Sequence, residues 1–473
     1  MDATQVTREI VEMFQQLSTI PHPSGQEQAL ATHLAALLRS WGGTVAHDTH
    51  WNLRWDVPAT AGLESAPLVC IQGHLDMVCV ATPDSDFSPE QDGIRCGVQD
   101  GWLESDGRSS LGADNLLATT AALWLLKQPF PHGPVRVLLT TEEEQSLKGA
   151  LAMDARWLDD VPFLINTDGF LPDQLIVGSG GGCHQIWTRN LETTPSQEPA
   201  WRLDLTGFPG GHSAADVGKG RVNPLRLLAT LLMESDVKIA SFSGGSAMNA
   251  IPTQASAVLV HKDIAAFQKR LSLVEELGGK WTLTPVSTPV SLWSAIDQQA
   301  ALDFFLSLPS GVTAWLPEQP DTPACSNNLG LVSWDGTTLT YHVFLRGSPQ
   351  QTLDRAANGC ALLADRCGFE LEQAAHFPPW EGHLDNPLAL RMSRLWQMRQ
   401  GTPMQRYITH VGLEPSAFLA QRPDLIAVVT GITVQNAHSI QERAKVTDLP
   451  AFVQLLQDTL QSIAQEDGRK DPV

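Results

Sequence analysis

The 473 residues contain no stretch both apolar enough and long enough to cross a bilayer as a helix, so a helical membrane protein is not expected. The first twenty residues, MDATQVTREIVEMFQQLSTI, carry acids at Asp2, Glu9 and Glu12. They have neither the basic start nor the clean apolar run of a secretory signal, so a cytoplasmic location is expected. Cysteine is scarce and unpatterned: Cys70, Cys79, Cys96, Cys183, Cys325, Cys360 and Cys367 are odd in number and show no CxxC spacing. That argues against a disulfide framework and fits a reducing compartment. Basic residues are few. The 31 Lys and Arg stand against 52 Asp and Glu, a formal net charge of −21 that repels nucleic acid and anionic membranes, so neither is expected as a partner. Repeats, charge blocks and low-complexity tracts are also missing.

What is present reads as two domains, since the chain is too long for one core. Ser24 and Glu27 have the spacing of a capping box after the breaker Pro21-His22-Pro23. They predict a helix with apolar positions Leu30, Leu34, Leu37, Leu38 and Trp41, ended by Gly42 and Gly43. Leu68 to Ile71, Val135 to Leu139 and Phe163 to Ile165 read as buried strands, and Leu116 to Leu126 as a helix apolar on most faces. Strands alternating with helices imply an α/β domain with a mostly parallel sheet flanked by helices. From Trp201 the rhythm changes. Strands at 201–206, 237–241, 255–260 and 281–284, with helices at 224–233 and 264–277, spell β-α-β-β-α-β, the split βαβ pattern of an α+β domain. A helix, hairpin, helix and strand follow to about Glu372, and the last stretch returns to α/β. The expected division is therefore a discontinuous domain, 1–187 with 377–473, interrupted by an inserted domain, 188–376.

Polar clusters sit where the apolar runs stop. Gly73-His74-Leu75-Asp76, Glu142-Glu143-Glu144 and Asn166-Thr167-Asp168 each follow a strand, and Gly112-Ala113-Asp114-Asn115 precedes a helix. Ligands of open parallel sheets gather beyond the carboxyl ends of the strands. Imidazole with carboxylate and no thiolate suits Zn²⁺, Mn²⁺ or Co²⁺. Taken singly, each cluster has a plainer explanation. His74 would be a hydrogen-bonded loop residue, the three glutamates a solvated first turn, Asp114 a helix cap, and Asn166 to Asp168 an ordinary loop. Their recurrence at successive strand ends is what those explanations do not cover.

With these motifs in order along the chain, the sequence resembles the aminoacyl-histidine dipeptidases (Xaa-His dipeptidases), a branch of the co-catalytic two-metal peptidases. The resemblance rests on the four clusters, on Val177 to Gly182, Gly210-Gly211-His212-Ser213, Asn249-Ala250-Ile251-Pro252, Ser326 to Gly330, His410 to Glu414, and Ala437-His438-Ser439. It implies a catalytic domain interrupted by a lid and dimerisation domain, and a homodimer acting on small peptides. It implies two divalent ions per chain, zinc first and manganese or cobalt next. His74 and Asp168 would hold one ion and Glu144 and His438 the other, with Asp114 bridging. Asp76 would orient the His74 imidazole, as such histidines usually require, and Glu143 would be the general base. His212 would reach a site across the dimer to stabilise the oxyanion. Asn249 and Arg346 would meet the substrate's carboxyl end and Glu414 its free amine.

The expected reaction is hydrolysis of unblocked dipeptides, Xaa-His among them. An N-acyl amino acid deacylase or a carboxypeptidase of the same fold, and a catalytically silent binding protein, are the alternatives. Glu414 beside an amine favours the first, and so does the retention of four acids around two histidines. The chain departs from the family pattern at Glu142 (Asp is usual), Met248, Gly218-Lys219, Pro415-Ser416 and Ile440. None is an expected ligand or the base, so these departures bear on which dipeptide is preferred.

Overall fold

Four short runs of Val, Ile and Leu, buried along almost their whole length, form the parallel centre of a sheet. Their order is Val135–Thr140, Val69–His74, Phe163–Gly169, Ile426–Gly431. Among the described residues the sheet has eight strands. Leu53–Val57 and Thr44–His47 extend one side, and Gln174–Ser179 and Gln405–Thr409 the other. The parallel sheet expected from the sequence is thus its middle. The outer pairings at Leu53–Val57, Thr44–His47 and Gln174–Ser179 are antiparallel. Because the central strands share a direction, their carboxyl ends fall on one edge.

This computed structural model describes residues 2–287 and 289–466. The chain forms two compact units, Met1–Gly178 with Gly382–Ile408 and Leu413–Val473, and Ser179–Glu381 with Thr409–Gly412. In the first unit the helix Ala113–Leu126 is buried at every residue. It lies on Val69–His74 and Phe163–Gly169 and is covered in turn by Ala3–Ser18 and Leu449–Glu466, which is why it is apolar on most faces.

The capping box does not form. The helix is Gln28–Trp41, Glu27 sits at its N-cap position, and no side chain caps it. Ser24 instead donates to Asp76 Oδ2 at 2.8 Å, and Glu27 accepts from the Glu142 N–H at 3.0 Å. Both polar groups are drawn to the strand-end clusters, an attraction that local spacing does not reveal.

The second unit is built on one antiparallel sheet. Its first half runs Ala200–Thr206, helix Pro224–Met233, Lys238–Gly245, Ala255–Val260, helices Ile264–Arg270 and Ser272–Glu276, then Lys280–Val286. In the sheet these strands stand in the order 4-1-3-2, the split βαβ arrangement. The second half repeats it. Gly181–Asn190, helix Ala295–Ser307, Gln319–Trp334, Thr338–Gly347, helix Gln350–Arg366 and Glu370–Phe377 again stand 4-1-3-2. The first module is inserted after the first strand of the second. The modules meet strand 2 to strand 2, through Gly244↔Val332 and Gly245↔Leu331. One apolar core, from Trp187 through Phe242 to Phe369, runs under both. This explains why the unit begins at Ser179 rather than at 188. The strand Gly181–Asn190 pairs along its length with Thr338–Gly347, so a boundary at 188 would cut a ladder.

Candidate metal centre and active site

Each central strand delivers a polar group to the same edge. Val69–His74 ends on His74, and Val135–Thr140 leads into Glu142 to Glu144. Phe163–Gly169 carries Asp168, and Ile426–Gly431 leads towards a hairpin whose loop holds His438. Asp114 lies at the second position of the helix Ala113–Leu126 with non-helical φ and ψ of −77° and 106°, and its side chain does not act as the cap.

The carboxylate of Asp114 is shared between two imidazoles. Oδ1 is 3.4 Å from His74 Nε2 and Oδ2 is 3.2 Å from His438 Nε2. Asp168 Oδ1 stands 3.9 Å from His74 Nε2, and Glu144 Oε1 is 2.7 Å from His438 Nε2. Two overlapping triads result, His74–Asp114–Asp168 and Asp114–Glu144–His438, each with ligand atoms within 4.8 Å of one another. A third group joins His74 to Glu143 and Glu144. Among the described residues, His74 Nε2, Asp114 Oδ1 and Asp168 Oδ1 are buried with no hydrogen-bond partner. Polar atoms are rarely left so, and three of them converging mark a place for a cation. Burial disfavours a charged His438, but Asp114 and Glu144 outweigh it and hold its pKa up at about 11. Burial, and then the Glu144 charge, push the Glu143 carboxyl well above its usual range.

A second layer of carboxylates fixes these groups. Asp76, 1 % exposed, accepts the backbone N–H groups of Glu143 at 2.9 Å and Glu144 at 3.1 Å. His74 Nδ1 lies 3.0 Å from the Asp76 carbonyl and 3.5 Å from its Oδ1, so the other ring nitrogen faces the triads. Glu142 and His438 adopt left-handed φ of 51° and 63°. Such strain clusters at functional sites and persists only when the surroundings over-determine it, as Glu27 and Asp76 do for the acidic turn. Glu414 is held by Gln72 Nε2 at 2.5 Å while its Oε1 is buried and unpaired, and burial lifts its pKa to about 7. Gln72 also accepts from Asn166, whose Oδ1 receives the Asp168 N–H.

His212, Asn249 and Arg346 come together within the second unit. The short ladder Gly211–His212 with Ala250–Ile251 sets His212 beside Asn249, whose carbonyl takes the Ser213 N–H at 2.9 Å. His212 Nδ1 accepts from the N–H groups of Ala214 at 3.3 Å and Ala215 at 3.2 Å. The neutral ring therefore carries its proton on Nε2. Arg346 is 5 % exposed and lies 3.4 Å from Ser213 Oγ and over the Phe344 ring. It has no carboxylate partner among the described residues, and burial lowers its pKa to about 10. Nearby, Ser326 Oγ meets His410 Nε2 at 2.7 Å, and burial with the Arg346 charge keeps that imidazole neutral, near pKa 3. The sequence suggested no role at the site for Gln72, Ser326, His410 or Glu442, and for Glu27 only that of a helix cap. All act through backbone groups or buried amides and hydroxyls remote in sequence.

No helix of the described residues is long and apolar enough to cross a membrane. The chain is 29% identical to the cytosol non-specific dipeptidase of Escherichia coli (strain K12), over 96% of this chain and 97% of that protein. It is similar to the crystal structure of aminoacylhistidine dipeptidase from Vibrio alginolyticus, with TM-score 0.80, 26% identity and 96% of each chain covered. The aminopeptidase PepT of Bacillus cereus ATCC 10987 shares the fold, with TM-score 0.57 at 13% identity over 97% of this chain and 99% of that one. The model of Peptidase family M20/M25/M40 matches residues 70–462, which takes in every strand-end cluster, and the chain belongs to that family.

Proposed function

We propose that this chain is a metal-dependent dipeptidase that hydrolyses the peptide bond of unblocked dipeptides, Xaa-His dipeptides among them. The observation that carries the reading is the pair of triads sharing Asp114, with three buried ligand atoms lacking a partner. His74 and Asp168 would hold one divalent ion and Glu144 and His438 the other, with Asp114 shared between the two sets. Zinc, manganese and cobalt all suit this donor set. Two such ions, when bound, supply a water of lowered pKa and an electrophile for the scissile carbonyl.

The remaining work belongs to the side chains. Glu143, adjacent to a ligand and buried, takes the proton from the attacking water and returns it to the leaving amine. His212 presents Nε2–H to the developing oxyanion. Arg346, a buried cation without a counter-ion among the described residues, and Asn249 receive the substrate's carboxylate. The unpaired Glu414 oxygen receives the free ammonium, which favours a dipeptide over an N-acyl substrate. Peptide-bond cleavage across a panel of Xaa-His dipeptides, other dipeptides and N-acetyl amino acids tests the class. Exhaustive chelation abolishes the activity and a divalent ion restores it; full turnover in verified metal-free protein would overturn the reading. Two of the three similar proteins named above are dipeptidases, one of them described as cytosolic, and we extend the cytosolic location to this chain.

A further inference from the structure

Gly112 is the N-cap of the helix Ala113–Leu126 and offers no side chain to cap it. A capping side chain is disfavoured there. The φ of Gly112 is 71°, and a Cβ there would stand 2.7 Å from Met77 Sδ. The first N–H groups of a helix have no partner within it, so the acceptor must come from elsewhere. It comes from Glu442, 3 % exposed. Oε2 accepts the N–H groups of Leu111 at 3.0 Å and Gly112 at 2.9 Å, and Oε1 accepts that of Asp114 at 3.2 Å.

Glu442 closes the loop of the hairpin formed by Val434–Gln435 and Arg443–Lys445, and His438 stands in that same loop. The loop is braced internally. Ser439 Oγ donates to the Asn436 carbonyl at 2.7 Å, and the Glu442 N–H to the Ser439 carbonyl at 3.0 Å. One short segment therefore holds a ligand at its tip and, at its base, the backbone of the ligand expected to bridge. Charge-assisted bonds from three amides offset part of the cost of burying the carboxylate.

We propose that Glu442 is a positioning residue that ties the His438 hairpin to Asp114, so that the two triads keep their spacing before a cation enters. The proposal rests on the metal centre proposed above. Glutamine is no neutral replacement. It keeps one acceptor oxygen and turns an NH₂ donor against the amides on the other side.

The test is titration of metal-free wild type, Glu442→Gln and Glu442→Ala with Co²⁺, followed by the absorption of the bound ion. Thermal unfolding of each protein, and kcat and KM for a dipeptide at saturating Co²⁺, are measured alongside. Loss of an outer partner of this kind costs about 10–100-fold in metal affinity. That loss is expected in both variants, with KM at saturating metal close to that of the wild type. A Glu442→Gln protein that melts earlier but binds Co²⁺ as tightly as wild type reduces Glu442 to a helix cap and overturns the proposal. If Glu442→Ala does not fold, the glutamine variant decides alone. Wild type that takes up no Co²⁺ overturns the metal centre, and the proposal falls with it; that result is distinct from unchanged affinity in the variant.

Discussion

Glu143 and Glu144 are neighbours whose backbone N–H groups both point at Asp76, yet the proposed function gives them different tasks. Glu144 Oε1 is 2.7 Å from His438. Glu143 shares a group with His74 and Glu144 but takes no part in either triad around Asp114. Glu143→Gln should keep both ions and lose about 10²–10⁴-fold in kcat, the worth of a positioned base. Glu144→Gln should lower metal content instead. Metal analysis of the two purified variants beside their turnover checks this, and reversed behaviour would shift the assignment by one position. At this scale the strand-end residues were legible because each follows an apolar run that fixes where it emerges. Their supports were not. Glu27 and Ser24 had the spacing of a local cap and turned instead to Glu142 and Asp76, and Glu442 serves amides more than three hundred residues earlier. No periodicity encodes a hydrogen bond of that span.

Among the elements, the contact between the strand Val69–His74 and the helix Ala113–Leu126 governs the site, since one carries His74 and the other Asp114. It is close because Gly73 has no side chain. A Cβ there would stand 2.2 Å from Thr119 Oγ1 and 2.3 Å from Asn115 Oδ1, and those two atoms hydrogen-bond each other at 2.8 Å. Gly73→Ala should force the elements apart. Overpacking of this sort costs about 1–3 kcal/mol, which urea unfolding would register; an unchanged midpoint would mean that the helix shifts freely. Some elements could be read to the residue. Asn223 caps and Pro224 starts the helix Pro224–Met233, and Ala255–Val260 was bounded as found. The second split βαβ module was not legible, because its first strand, Gly181–Asn190, is separated from the rest of it by the whole of the first module.

For the molecule as a whole, the open question posed by the sequence was whether His212 serves a neighbouring subunit. His212→Ala should cut kcat by about 10²–10³, the cost of one oxyanion donor, with metal content unchanged. Mixing that inactive variant with inactive Glu143→Gln distinguishes the two arrangements. Recovered activity places His212 in the partner's site, and none after demonstrated subunit exchange places it in its own. The tandem bears on the answer. Strand 2 of the first module, the edge through which a lone module could extend its sheet into another copy, is already closed within the chain by strand 2 of the second.

That internal closure leaves the shared sheet with a strand 4 at either end, and unpaired strand edges invite other chains to add on. Both ends are guarded. Lys280–Val286 places Lys280 and Pro285 on one. Glu370–Phe377 places Glu370 and Glu372 on the other, with a slip in its ladder between Leu371 and Gln373. Charge, a missing amide donor and a break in register are each poor templates for a growing fibril. The same joining of two modules that lengthened the sheet thus ends in two borders that resist cross-β aggregation when the protein is concentrated.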